Sequence, residues 1–354
     1  MKINDAYSDG EVVFSKSAGD LRITDAGKNA VQISVSVNST ERVSFKAMPV
    51  NGGIVLRLSE ILEACMEDLF SGRHGFMAAI AGLPVVTISA GDLSWNHQVM
   101  YGLKPSDRKY ESYDLLTRRP AQAATYIDGA EPVTFRWRRL ALGFSTELMA
   151  EIYFACSGPR IVSLPSPRQT TVIVKDAQLA ESFCSYSEIR AAADKAGLED
   201  ETITGWSAWV RYHEKTEDGE AATDGRRQDF VLKTGLHHTY LFRNIYGGLD
   251  TIYATGNREL SSDGEVVTFV NGLIESELSN EAVRYYEQNS GYIASRSAAR
   301  FWLDFMGSAE RYIYEDGQLR RIIVDENDTK LTEGELSSLK FKWHYADRNN
   351  DYNI

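Results

Sequence analysis

LFRNIYGGLDTIYATG, residues 241–256, sets two glycines between apolar runs, with Asp250 just behind them. Read as a phosphate cradle it would make the chain a nucleotide enzyme; read as a turn it makes the chain a β protein. A P-loop needs GxxxxGK[ST], with a lysine that reaches the phosphates and a helix that starts at once. A dinucleotide loop needs three spaced glycines that open a helix. Neither pattern is present, and the residues after Gly248 alternate as in a strand. The stretch predicts a hairpin with Gly247 and Gly248 as the two turn residues, both at positive φ. In that register Tyr246 faces Leu249, Asn244 faces Thr251, Phe242 faces Tyr253, and Arg243 lies diagonal to Asp250.

Period-two alternation extends outward from this hairpin. In VQISVSVN, Val31, Ile33, Val35 and Val37 face one way and the polar residues the other. A polar turn at 38–41 leads into RVSFKAM, and Asn51-Gly52-Gly53 turns the chain into IVLRL. Residues 84–89 and 132–137 predict further strands, as do TTVIVKD, GWSAWVRYHE and QDFVLKT. In LKFKWHY, Leu339, Phe341, Trp343 and Tyr345 point inward, with Lys340, Lys342 and His344 outward. Asp316-Gly317 is the dipeptide favoured at a type I′ turn and predicts a second hairpin.

Three short helices interrupt the strands. Ser59 can cap one over about 59–71, with Glu60 and Glu63 in its first turn and Ile61, Leu62, Cys65 and Leu69 on its apolar stripe. The others are expected at about 187–197 and 295–307, the last burying Ala298, Phe301, Trp302 and Phe305. Residues 103–131 read as a long surface loop, 214–225 as an acidic loop, and SGPRIVSLPSPRQ (157–169), with three of the eight prolines, as a linker. The expected fold is mainly β: two antiparallel β-sandwich-like domains, 1–165 and 166–354, with a few short helices packed on sheet faces.

Charge is lopsided. The chain of 354 residues has a net charge of −12, and residues 1–165 hold 17 basic and 18 acidic residues against 21 and 32 in the remainder. The acidic second half repels phosphate backbones, so no nucleic-acid partner is expected. Arg136, Arg138 and Arg139 are the local exception, read as a solvated face with an anion site as the sharper alternative. No run approaches the ~20 apolar residues of a membrane span, and the N-terminus lacks a signal-peptide core. No membrane partner is expected, and the reading is cytoplasmic synthesis without an export signal.

Catalytic patterns are missing. The three cysteines, Cys65, Cys156 and Cys184, form no CxxC pair and read as reduced, mostly buried thiols. His237 and His238 are adjacent and point to opposite faces of a strand, and no HExxH spacing exists. No GxSxG elbow is present. No catalytic residue, metal or cofactor is expected. The acidic run DRNNDYN (347–353) starts like a calcium loop but lacks its glycine and closing glutamate, and DENDTKLTEGE (325–335) reads as a solvated connection. Trp209, Arg211 and His213 share one face of a strand. If Trp206, Val210 and Tyr212 face the core, these three form a candidate glycan platform; a strand buried on both sides is the plainer reading.

FRNIYGGLDTIYATG (242–256), YYEQNSGYI (285–293), SAERYIYEDGQLRRIIVDE (308–326) and SSLKFKWHYAD (337–347) together resemble poorly characterised proteins of phage and prophage tail modules in Bacteroidetes. The resemblance covers about 240–346, under a third of the chain, and its motifs are structural rather than chemical. It implies a non-enzymatic structural or assembly role through protein–protein contacts, in a homo-oligomer or phage-type assembly, with a virion or tail-like particle as the destination. A carbohydrate-binding surface or adhesion protein is the alternative expectation, and a glycoside hydrolase the third.

Overall fold

The computed structural model describes residues 1–4, 6–7, 12–71, 79–103, 115–137, 145–165, 178–216, 219–271, 274–326 and 338–347. Strands account for 54% of the chain and helices for 13%, so alternating side chains, not helical stripes, build most of the core. The strands form several multi-stranded, mainly antiparallel sheets. Among the described pairings only two are parallel: Gln122–Thr125 with Gln228–Leu232, and Val13–Phe14 with Leu93–Met100.

The N-terminal part follows its alternation. Val31–Val37 lies between Val85–Ala90 and Thr40–Ala47 in a five-stranded sheet, and Thr40–Ala47 is that sheet's last strand. Ile33, Val35 and Val37 enter a core with Val86, Ile88, Trp95 and Val99. Helix Leu58–Ser71 closes it with Leu62 and Cys65, while Ile61 packs at the margin. The helix begins one residue before the expected serine cap, and Arg57 pairs with Glu60 across its first turn. Both turns here have the left-handed backbone that their sequences suggest: Asn38 and Ser39, then Asn51 and Gly52, are at positive φ.

The middle of the chain departs from expectation. Ile203–Thr216 pairs along its length with Ser145–Phe154, which in turn pairs with Arg160–Leu164. Ala79–Gly82, Pro132–Trp137 and Gln178–Phe183 form one sheet of three. Backbone pairing therefore runs across residue 165, where the domain boundary was expected. Within the proline-containing stretch 157–169, Arg160–Leu164 is a sheet strand flanked by Pro159 and Pro165, and 166–169 lie outside the described residues. Two expected loops also contain strands. Gln122–Thr125 lies within 103–131, and Gly219–Asp224 folds back on residues 211–216. Neither shows clear alternation of apolar residues, because each borrows its order from a neighbouring strand. Helix Tyr186–Lys195 packs Ile189 and Ala193 against Leu148, Ile152 and Trp206.

The C-terminal part is a seven-stranded sheet with helix Arg296–Gly307 on one face. Ser295 caps that helix by accepting a hydrogen bond from the Ala298 amide at 3.1 Å. Phe301, Trp302, Phe305 and Met306 face the sheet residues Tyr240, Phe341 and Trp343. Tyr240 sits at the centre, edge-on to Phe305, Phe341 and Trp343 at 5.7, 5.5 and 6.1 Å. Leu339, Phe341, Trp343 and Tyr345 are buried as their alternation requires. Asp316 and Gly317 are both at positive φ and turn Arg311–Glu315 into Gln318–Glu326.

The opening stretch is a hairpin, but with a longer loop than expected. His238–Arg243 pairs with Leu249–Ala254, with Arg243 opposite Leu249 and Phe242 opposite Asp250. The register is thus shifted by three from the two-glycine turn. Residues 244–248 form the loop, and of the two glycines only Gly247 is at positive φ.

Candidate functional site

Gly247 and Gly248 are required by what surrounds them. A Cβ on Gly247 would overlap the Tyr101 carbonyl oxygen, and one on Gly248 would overlap that of Leu116. The loop lies against two distant parts of the chain, and only a bare backbone fits. Asn244 organises it. Its side-chain oxygen accepts from the Tyr246 and Gly248 amides, and its Nδ2 donates to Leu116 O and Asp250 Oδ2, both at 2.8 Å. One side chain thereby does the work of a tight turn and also ties the loop to the middle of the chain.

Behind the loop is a buried ionic cluster. Arg119 approaches Asp250 Oδ1 at 3.3 Å and Glu131 Oε2 at 3.1 Å, and all three side chains are 1% exposed or less. Arg119 Nη1 donates to Pro132 O; its contact with Glu131 is misaligned for a hydrogen bond and acts as a charge contact. Asp250 also accepts from Thr117 Oγ1 at 2.6 Å and from the Arg118 amide at 2.8 Å. Tyr253 donates to Glu131 at 2.6 Å, and Thr251 to Ala130 O. Burial works against the Arg119 charge, but Glu131 and Asp250 outweigh it and raise its pKa. Burial pushes the Glu131 carboxyl up, and Arg119 and Tyr253 offset only part of that.

Arg243 and Asp250 do not meet as the two-residue turn would have placed them. Arg243 turns to Glu310 at 2.8 Å and to the Gly247 carbonyl at 2.9 Å. The cluster is a joint between the middle sheets and the C-terminal sheet. Arg119 and Glu131 escaped the sequence reading because they lie in the stretch taken as a surface loop, and a lone arginine there carries no periodic signal.

The three residues of the expected glycan platform do not form an open face. Trp209 is fully buried. The Arg227 guanidinium covers its ring at 4.1 Å and pairs in turn with Glu151. Arg211 grips Asp224 through two nitrogens at 2.6 and 2.9 Å, and His213 contacts Glu147 at 3.3 Å. Trp206 on the opposite face is fully buried too, so the strand is sandwiched on both sides. Arg138 and Arg139, the side chain of Arg136, strand TTVIVKD, the Leu69 side chain, nearly all of 325–335 and the acidic run beyond Asp347 lie outside the described residues. Cys65 and Cys184 are buried, whereas Cys156 is exposed.

A polar cleft of ≈ 750 Å³ opens between 127–129 and the C-terminal sheet, lined by His237, His238, Arg258, Glu315 and Arg320 among others. Three of its rings are engaged by other side chains. Tyr286 stacks on Trp343 at 4.4 Å with Arg258 over it, Tyr345 lies under Arg320, and His237 stacks on Tyr126 at 3.8 Å. Arg258 pairs with Glu315, which also accepts from Tyr345 at 2.7 Å. Burial, then the Arg258 charge, lowers the pKa of His238 to about 4.

Strand edges are the more accessible feature. Arg258–Asn271 and Ile274–Asn289 pair with each other along their whole length. Only 286–289 of the second strand also pairs with Lys340–Tyr345. Residues 261–285 therefore form a two-stranded arm that pairs with no third strand among the described residues. At ~3.4 Å per residue its strands run about 40 Å beyond the sheet. Thr40–Ala47 ends its own sheet, with no strand on its outer side among the described residues.

No protein-family model matches the chain, and no curated protein matches it. Among solved structures a marsupial T cell receptor is similar at 8% identity, covering 79% of this chain and 93% of that one, with a TM-score of 0.19. A score that low carries no argument about fold or function. Among the described residues no helix is long and apolar enough to cross a membrane.

Proposed function

We propose that the protein is a non-enzymatic structural or assembly component of the phage-tail or prophage type, acting through contacts with other protein subunits. The observation that carries this reading is the arm at 261–285, two strands whose outer edges pair with no other strand among the described residues. An isolated pair of strands is marginally stable in water, and its unpaired amides and carbonyls are a template for another chain. An arm of that length has a use when a neighbouring subunit covers it. The tail-type setting is supported by the resemblance of residues 240–346 noted above. The burial of Trp209, and the occupied rings in the polar cleft, remove the support that a sugar-stacking surface had in the sequence.

Light scattering after size exclusion tests the reading. Wild-type protein is expected to run as multiples of its 39.6 kDa chain, in a concentration-dependent way. A variant with 265–281 replaced by a two-residue Asn-Gly turn, which keeps Gly264 opposite Ala282, is expected to run as a monomer with its melting temperature retained. A wild-type chain that stays monomeric at the highest attainable concentration, and ignores the products of adjoining genes, would overturn the proposal.

A further inference from the structure

An open arm raises the question of what receives it, and the best-fitted receptor is on the same chain. Thr40–Ala47 ends its sheet, with Val31–Val37 on its inner side and no strand on its outer side among the described residues. Most of it is exposed, including Val43 at 43%. Between this strand and helix Leu58–Ser71 lies a groove of ≈ 450 Å³, with Val43, Phe45, Ile61, Ala64 and Cys65 along it and Arg42 and Glu60 also lining it. A strand added at ~4.8 Å spacing would lay every second side chain over that groove. Exposed apolar residues continue along the chain at Met48 (65%) and Val50 (75%). Natural edges are normally blunted by proline, bulges or a covering element. Here Thr40–Ala47 contains no proline, and its one register shift lies at the 41–43 end.

Charge selects the occupant. The edge strand exposes Arg42 and Lys46 beside a single acid, Glu41. Residues 261–285 carry five acids and one arginine. Two such edges paired with each other would align the basic residues of both copies along one seam. An arm against an edge sets opposite charges together.

Resting on the assembly reading above, we infer that the arm at 261–285 of one copy adds by backbone pairing to the Thr40–Ala47 edge of a second copy, beside helix Leu58–Ser71. Donor and acceptor are different surfaces, so the contact is head-to-tail and propagates into a ring or a filament rather than closing as a two-fold dimer.

Complementation by mixing tests this on the full chain. One variant, Val43→Glu, places a charge in the groove; the other carries the shortened arm. Each alone is expected to be monomeric. Mixed, they retain one good edge and one good arm and are expected to form a complex of two chains and no larger species. Lys46→Glu, at an exposed position with no role in the core, guards against a folding artefact and is expected to weaken assembly about tenfold. An oligomer that depends on the arm but is indifferent to both Val43→Glu and Lys46→Glu sinks this inference and spares the assembly reading. A wild type that never associates sinks both.

Discussion

Replacing Arg119 by methionine removes a cation that two buried carboxylates, Glu131 and Asp250, share. Methionine keeps much of the side-chain volume, so the change isolates charge from packing. Asp250 retains three donors, from Thr117, the Arg118 amide and Asn244. Glu131 retains Tyr253. Breaking a buried ion pair from one side costs about 3–5 kcal/mol, because the remaining charge keeps its desolvation penalty. With an unfolding entropy of ~2.1 cal/mol/K per residue, a cooperatively melting chain of this length would lose roughly 4–7 °C of melting temperature. Calorimetry or thermal circular dichroism reads this directly. The pH dependence gives an independent check. Burial already holds the folded-state pKa of Glu131 above its unfolded value, and Arg119 opposes that rise. Without Arg119 it climbs further. A carboxyl whose folded pKa is raised binds more protons in the folded state. The variant's stability therefore falls as pH rises from the ordinary carboxylate range through that raised value, and its deficit against wild type shrinks in acid. Glu131→Gln on the Arg119→Met background should recover part of the loss, and a double-mutant cycle measures the coupling. A melting temperature lowered by less than about 1 °C, with no pH dependence of the difference, would refute the joint as a structural element.

The other predictions concern separate parts of the chain. Gly248→Ala drives a methyl into the Leu116 carbonyl and should cost about 3 kcal/mol or more in urea unfolding, while Gly317→Ala, with open space around it, should cost only the ~1–2 kcal/mol of a left-handed alanine. Trp209→Ala should behave as a core cavity, losing about 3–5 kcal/mol and producing no selective change on a glycan array. His238 binds fewer protons folded than unfolded, so its contribution to stability is lost as pH falls from about 6.5 towards about 4; NMR titration of its ring should show the depressed pKa, and His238→Asn should flatten that part of the stability profile. A thiol reagent should label Cys156 quickly in the native protein, and Cys65 and Cys184 only after denaturation, since both are buried and burial pushes both thiols up.

The elements that could be read in the sequence are those whose order is local. Val31–Val37 and Lys340–Tyr345 announce themselves by alternation, Arg296–Gly307 by helical spacing after a serine cap, and Asp316-Gly317 by its need for two positive φ values. What escaped depends on distant partners. Local alternation says which way side chains point, not which strand lies alongside, so the pairing of Ser145–Phe154 with Ile203–Thr216 across residue 165 had no signature. Trp206 and Trp209 lie on a central strand buried on both faces, where the contrast between inside and outside disappears. The glycine pair was identified correctly as a hairpin, but its loop length was set by Asn244, which binds two backbone amides that a shorter turn would have satisfied itself. Likewise, the glycines are demanded less by dihedral angles than by the carbonyls of Tyr101 and Leu116 pressing on them.

The Arg119 joint has a consequence for how the chain is made. Its hydrogen-bonding partners from Asp250 lie 132 and 133 positions from Arg118 and Thr117. A nascent polypeptide emerging from the ribosome exposes Arg119 and Glu131 long before Asp250 and Tyr253 have been synthesised. Until then the middle strands must stay open to water around two charges that have no complete shell, and any product cut short ahead of residue 250 is left with that hole permanently. The last third of the protein thus closes the earlier part, and a copy terminated before residue 250 lacks the carboxylate that completes the joint.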